Sequence, residues 1–253
     1  MFHSRDRLDR QGAIWRASTP DVVVGFAGLV AAGDRTATLA LTCASGDSRL
    51  VAPTRLARLR QVHSADVVRA RTGDCGSADA LWTDEPELAL AIATADCVPV
   101  LLAGHGRVAA VHAGWRGLVA GIIPRAVESL GGGGSGVRAW IGPAIGPCCY
   151  EVGEEVAAAI AGASDEGALR RHPDRRPHAN LVAAARWQLA QAGVAAVAAV
   201  ETCTRCSPEL LWSYRRDGTA AGRNLAFIWR TAASRSEAQV AASEAARLAR
   251  ERA

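Results

Sequence analysis

Two short apolar runs, residues 98–102 and 108–112, flank the tetrapeptide Ala103-Gly104-His105-Gly106, and this pairing constrains the fold more than any other feature of the chain. Runs of strand length separated by a glycine-bounded turn predict a β-hairpin. With the turn centred on Gly104-His105, Cys97 falls directly opposite His112. Directly opposed residues share a face of the sheet, with Cβ atoms about 4.5–5.5 Å apart. That separation suits two ligands of one metal ion, or a thiol beside its base. Pro99 works against a regular ladder, because a proline within a strand implies an edge or a bulge.

Further strands are expected at 22–26, 36–42, 88–93, 137–141, 194–200 and 225–229, and helices at 118–130, 154–161, 181–192 and from Ser236 onward. Asn180 is placed to cap the third helix and Gly193 to end it. The polar, arginine-rich stretch 163–178 with Pro173 and Pro177 reads as a surface loop. Strands cluster early and then mix with helices, so the expected class is α+β, in a single domain spanning 1–253. The last residues, about 236–253, read as a solvated helix or a frayed tail.

Composition excludes more than it selects. All 29 basic residues are arginine, which removes Schiff-base chemistry and the phosphate-binding lysines of P-loop and kinase folds. Basic residues exceed acidic ones by only four, so no basic field calls for nucleic acid. The polar N-terminus offers no signal-peptide core and no apolar run reaches the length of a membrane span. Seven cysteines in such a chain point to free thiols or metal ligands instead of a disulfide framework. The expected location is cytoplasmic.

The densest chemistry lies between Gln61 and Gly117, in Gln61-Val62-His63, Thr94-Ala95-Asp96-Cys97-Val98-Pro99 and Val111-His112-Ala113-Gly114-Trp115-Arg116-Gly117. A thiol, a histidine on the facing strand and His63 make an N₂S set, which zinc accepts while keeping a fourth position open. A structural histidine and an inert buried thiol are the plainer alternatives for the same residues.

These segments, with Ile141-Gly142-Pro143-Ala144-Ile145, Tyr150-Glu151-Val152, Ser213-Tyr214-Arg215-Arg216 and Gly222-Arg223, resemble the laccase-domain family of YfiH type. Its members were first described as polyphenol oxidases and are read as zinc-dependent purine nucleoside phosphorylases with adenosine deaminase activity. The resemblance implies a layered α/β/β/α fold with mixed β-sheets and zinc held by His63, Cys97 and His112. It further implies small-molecule partners, a purine nucleoside (adenosine, inosine, guanosine or methylthioadenosine) and phosphate; no obligate protein partner is evident in the sequence. The N-terminal segment departs from the family: Gly25-Phe26-Ala27-Gly28 and Leu39-Ala40-Leu41-Thr42-Cys43 stand where members carry serine and asparagine.

Around this core, Gly114–Gly117 is expected to turn from strand to helix, with backbone N–H groups and Arg116 and Gly117 facing phosphate. Arg216 and Arg223 are further phosphate candidates, mainly through the resemblance. Asp96 and Asp79 are candidates for handling protons or orienting ligands. Trp115 is expected either to stack on a base or to pack in the core. The run Gly131–Gly136 lacks a following Lys-Ser/Thr and reads as a flexible connection. Cys203-Thr204-Arg205-Cys206 and Cys148-Cys149 each lack a second Cys-x-x-Cys, which argues against a structural zinc at either. Two other readings remain: a metal-free hydrolase or deamidase with a Cys97 nucleophile and a His112 base, and a copper-dependent oxidase. Copper fits less well, because the six histidines form no His-x-His pair and the sole methionine is Met1.

Overall fold

The structure, a computed structural model, describes residues 8–30 and 55–231. The expected strand at 36–42 and the alanine-rich tail lie outside the described residues. In chain order the strands are β1 (Asp9–Gln11), β2 (Ile14–Ser18), β3 (Val22–Val30), β4 (Arg55–Arg60), β5 (Val67–Arg69), β6 (Gly73–Ser77), β7 (Ala80–Thr83) and β8 (Leu88–Thr94). They continue with β9 (Val98–Gly104), β10 (Arg107–Ala113), β11 (Arg138–Ile141), β12 (Leu169–His172), β13 (Arg175–Ala179), β14 (Ala196–Ala199) and β15 (Arg223–Arg230). The helices are α1 (Trp115–Val119), α2 (Ile122–Ser129), α3 (Glu154–Gly162), α4 (Leu181–Gln191) and α5 (Tyr214–Asp217).

Two mixed sheets carry the fold, in orders β1-β2-β3-β15-β8-β4-β6 and β14-β11-β9-β10-β7-β5. The α+β class read from the sequence is the observed one. Strands of the second sheet are apolar on both faces, and period-2 alternation divides their side chains between two cores. Leu101, Ala103, Val108 and Ala110 meet Val24, Phe26, Leu90 and Ile92 of the first sheet. Val98, Val100, Leu102, Ala109 and Val111 instead meet Leu118, Ile122, Leu181 and Leu189 of the helices. This gives a helix layer on a sheet on a sheet. The first sheet's outer face, with Phe227 and Trp229, is also buried. No helix among the described residues is long and apolar enough to cross a membrane.

Asn180 caps α4 as expected, its side chain accepting from the Ala183 N–H, and Gly193 follows in the left-handed region at φ 83°. The single helix expected at 118–130 is two. The chain enters helix already at Trp115 and breaks at Gly121, whose φ of 77° only glycine adopts readily. The expected loop at 163–178 is a hairpin of β12 and β13 preceded by a 3₁₀ turn, Glu166–Ala168. Its strands are largely exposed, so a polar composition conceals them. The glycine run after α2 packs closely: His105 Nε2 lies 3.2 Å from the Gly133 carbonyl, and a Cβ on Gly132 would strike the imidazole ring. A freely flexible connection is therefore the wrong description.

Candidate metal centre

The β9–β10 hairpin turns on His105-Gly106, one residue later than expected. Both take positive φ, 51° and 70°, the conformation that a two-residue type I′ turn demands at its two central positions. The ladder therefore pairs His112 with Pro99 and Ala113 with Val98, and Cys97 does not face His112. Moving the turn by one residue displaces partners by two, which preserves faces. The same register continued by one step sets Cys97 beside Gly114, with His112 as its diagonal neighbour on the same face. Pro99 causes no bulge: it is the second residue of β9, and β11 pairs with that strand only from Val100 onward.

Gly114 keeps the space that the ligands need. A Cβ there would lie 2.9 Å from His63 Cδ2 and 3.2 Å from Cys97 Sγ. His63 arrives from the loop after β4 in left-handed backbone at φ 62°, a strained state that its surroundings must impose. Gln61 anchors one side of that loop, donating to the Ala93 carbonyl at 2.7 Å and accepting from the Ala93 N–H at 2.8 Å. Asp79 anchors the other. Its Oδ2 accepts from the N–H groups of Val62 (3.1 Å) and Ser64 (2.6 Å), which flank His63.

The other oxygen of Asp79 meets His112 Nδ1 at 2.7 Å, and the Asp79 carbonyl accepts the His112 N–H. One fully buried carboxylate thus orients both histidines, and His112 is left with Nε2 to present to the centre. Burial alone would raise the Asp79 pKa, but the His112 side chain and the Ser64 and Val62 amides hold it down at about 2. Burial opposes a charged His112, yet bonding to Asp79 and Cys97 lifts its pKa to about 9. The Cys97 thiol, which burial would push up, is brought down to about 7 by His112 and His63.

The ligand atoms of His63, Cys97 and His112 all lie within 4.8 Å of one another, with Cys97 Sγ 3.8 Å from His63 Nε2. The two imidazole rings stand edge to face at 4.9 Å. A soft sulfur and two imidazole nitrogens on this scale can hold a metal ion. His63 is exposed, so the centre opens to solvent on its side.

Asp96, expected to handle protons, is otherwise engaged. Its Oδ1 accepts from Thr204 Oγ1 and its Oδ2 from the Arg215 N–H, both at 2.6 Å, while its carbonyl accepts the Ile145 N–H. It sits at φ 93° immediately before Cys97, so it fixes the thiol's approach as a positioning residue. Arg216, expected to bind phosphate, has all five N–H donors engaged with Asp217, Leu211, Thr204 and Arg205. It is a structural arginine. Arg223 is exposed and donates to the Ala221 and Gly222 carbonyls. Gly117 is buried where a Cβ would approach the Ser64 carbonyl to 3.0 Å, so it brings α1 close against the His63 loop. Trp115 is half-buried against the helix-side core, and Arg116 lies over its ring at 4.6 Å.

Two residues join this surrounding that the motifs alone did not single out. Arg215 is exposed, stacks on Tyr150 at 4.9 Å and donates to the Glu151 carbonyl. Tyr150 is half-buried, and burial pushes its phenol up to about 12 while Cys97, Arg215, Asp96 and Arg116 all act on it electrostatically. Both stand in segments that carry the family resemblance, Tyr150-Glu151-Val152 and Ser213-Tyr214-Arg215-Arg216, and that was the signal that could have found them.

The family model described as multi-copper polyphenol oxidoreductase laccase matches residues 28–231. Among curated relatives, purine nucleoside phosphorylase YfiH of Escherichia coli is 39% identical over 183 residues, 70% of this chain and 74% of its own. Purine nucleoside phosphorylase SCO2081 of Streptomyces coelicolor is 43% identical over 188 residues, 71% of this chain and 76% of its own. The crystal structure of Neisseria meningitidis protein NMB0706 superposes with a TM-score of 0.71 at 30% identity, covering 87% of this chain and 99% of the other.

Proposed function

The chain belongs to the laccase-type family of polyphenol oxidoreductases, and on that footing we propose that it is a purine nucleoside phosphorylase whose zinc centre is His63, Cys97 and His112. The observation that carries this reading is the single carboxylate of Asp79, which fixes both histidines so that three ligand atoms of suitable softness converge beside solvent. The relatives named purine nucleoside phosphorylase support the substrate class.

In the reaction an oxygen of hydrogen phosphate bonds to the ribose anomeric carbon, the glycosidic C–N bond breaks, and the purine leaves with the proton given up by the phosphate on its ring nitrogen. Zinc, when bound, supplies Lewis acidity. Arg116 and Arg215, both exposed and both acting on Tyr150, provide the positive charge that draws phosphate to the opening. Asp79 holds the histidines in the ligating orientation, and Asp96 and Gly114 fix the thiol and the room around it.

A multi-copper oxidase centre fits these residues less well. Among the described residues His172 and His178 pair with each other at 5.9 Å, and His105 packs on the glycine run, so neither group adds to the cluster. Incubation with inosine tests the reading: base release should require inorganic phosphate and yield ribose 1-phosphate. Equal release in phosphate-free buffer would make the protein a hydrolase. Adenosine in the same assay measures the deaminase side activity, seen as inosine or hypoxanthine.

A further inference from the structure

Strands β11 and β14 pair in parallel up to Ile141 opposite Ala199. Their chains stay together after the ladder ends: the Val200 N–H bonds to the Ile141 carbonyl, the Thr204 N–H to the Ala144 carbonyl, and Ala144 bridges to Cys203. This lays the turn containing Cys148-Cys149 alongside the turn Cys203-Thr204-Arg205-Cys206. The sequence presents two unrelated cysteine pairs, and the structure makes them one quartet.

All four sulfurs lie within 4.8 Å of one another. Cys206 Sγ is 3.3 Å from Cys149 Sγ and 3.7 Å from Cys148 Sγ. At a Zn–S bond of about 2.3 Å, tetrahedral ligands stand about 3.8 Å apart. Cys203 Sγ accepts the Gly146 N–H at 3.2 Å and also the Cys206 N–H, two donors of the kind that stabilise a thiolate. A soft all-sulfur set of four suits tetrahedral zinc and leaves no coordination position for substrate.

We propose that Cys148, Cys149, Cys203 and Cys206 hold a second zinc ion, in a closed structural site separate from His63, Cys97 and His112. The site clamps the segment leading to Tyr150 onto the segment carrying Thr204, the residue that bonds Asp96 beside Cys97. It therefore stiffens one wall of the centre without joining the chemistry.

The test is metal analysis of the full-length chain purified under reducing conditions. The expected content is about two zinc ions per chain. Cys206→Ser and Cys148→Ser should each remove one and leave the other, while His63→Ala removes the complementary one. In cobalt-substituted protein, His63→Ala should retain the intense thiolate charge-transfer bands and Cys206→Ser should lose most of them. Should the serine variants fail to fold, wild-type protein still decides: Cys148, Cys149, Cys203 and Cys206 should resist alkylation until a chelator is added. Unchanged zinc content in Cys206→Ser would overturn the site. So would ready alkylation of the quartet in zinc-loaded protein, or an intact mass showing a disulfide among these four. Zinc lost in Cys206→Ser but never present at His63, Cys97 and His112 would instead leave this site standing and sink the first.

Discussion

The two cysteine-bearing clusters differ in residue type and in support, and on the two proposals above they would divide chemistry from stapling within one chain. His63, Cys97 and His112 come from strand ends and a loop, and Asp79 orients both imidazoles. The quartet of Cys148, Cys149, Cys203 and Cys206 sits on two turns, and its visible support is backbone N–H groups aimed at Cys203. Three mixed ligands leave a position for a reactant, whereas four sulfurs close the shell. A neutral imidazole must be aimed, hence the buried carboxylate; a thiolate needs charge compensation, hence the amides.

Removing a ligand gives the largest effects and the hardest test of this division. Cys97→Ala and His112→Ala should reduce phosphorolysis to background and remove the metal of that centre, measured by turnover of inosine and by zinc content. Wild-type activity in Cys97→Ala would erase the distinction drawn for the first cluster. Full activity with unchanged zinc content in both variants would return Cys97 and His112 to a structural role.

Asp79→Asn comes next. The amide keeps the shape but gives up the charge, and removal of such an outer partner typically costs about 10–100-fold in metal affinity. The loss should appear in competition with a chelator, for the first centre only, with the cysteine quartet unaffected. Equal weakening of both clusters would mean that Asp79 acts through global stability.

Much of this was legible before the structure because it is local. Apolar, β-branched stretches marked β3, β8, β9, β10, β11, β14 and β15, seven of the fifteen described strands, while the short or polar β1, β2, β4–β7, β12 and β13 gave no such signal. Asn180 and Gly193 marked the ends of α4, and the motifs around His63, Cys97 and His112 marked the first cluster. The hairpin register was missed by one turn position, since His105 is a less obvious left-handed residue than glycine. Gly121 inside an apolar helical pattern hid the break between α1 and α2. The quartet was illegible for a different reason: its halves meet only through the parallel pairing of β11 with β14, which no local pattern announces. Arg216 misled because a sequence shows the charge but not the five acceptors waiting for it.

Arg116→Ala probes the opening of the first centre without touching either shell. If Arg116 bonds phosphate as proposed, the charge-assisted hydrogen bond removed is worth about 1.5–3 kcal/mol, roughly ten- to a hundredfold in the phosphate needed for half-maximal rate. Zinc content should stay at the wild-type level. An unchanged phosphate dependence would transfer the role to Arg215, whose guanidinium stacks on Tyr150 at the same opening.

Thr204→Val asks whether the two clusters are coupled, and its effect should be the smallest. Thr204 is fully buried within the Cys-x-x-Cys turn, and its hydroxyl donates to Asp96 Oδ1 at 2.6 Å. Valine matches its shape but leaves that carboxylate oxygen without its donor, a cost of about 1–3 kcal/mol. Thermal unfolding should fall by a few degrees, with both metals retained. Because Asp96 immediately precedes Cys97, turnover should drop as well, by less than the loss in Arg116→Ala at low phosphate. Thr204→Ser should restore both stability and rate, which a simple packing defect would not permit. If Thr204→Val lowers stability yet leaves turnover untouched, the staple and the centre are independent. If both fall together and recover together with serine, this one buried hydrogen bond is the mechanical link from the sulfur cluster to the Cys97 thiol.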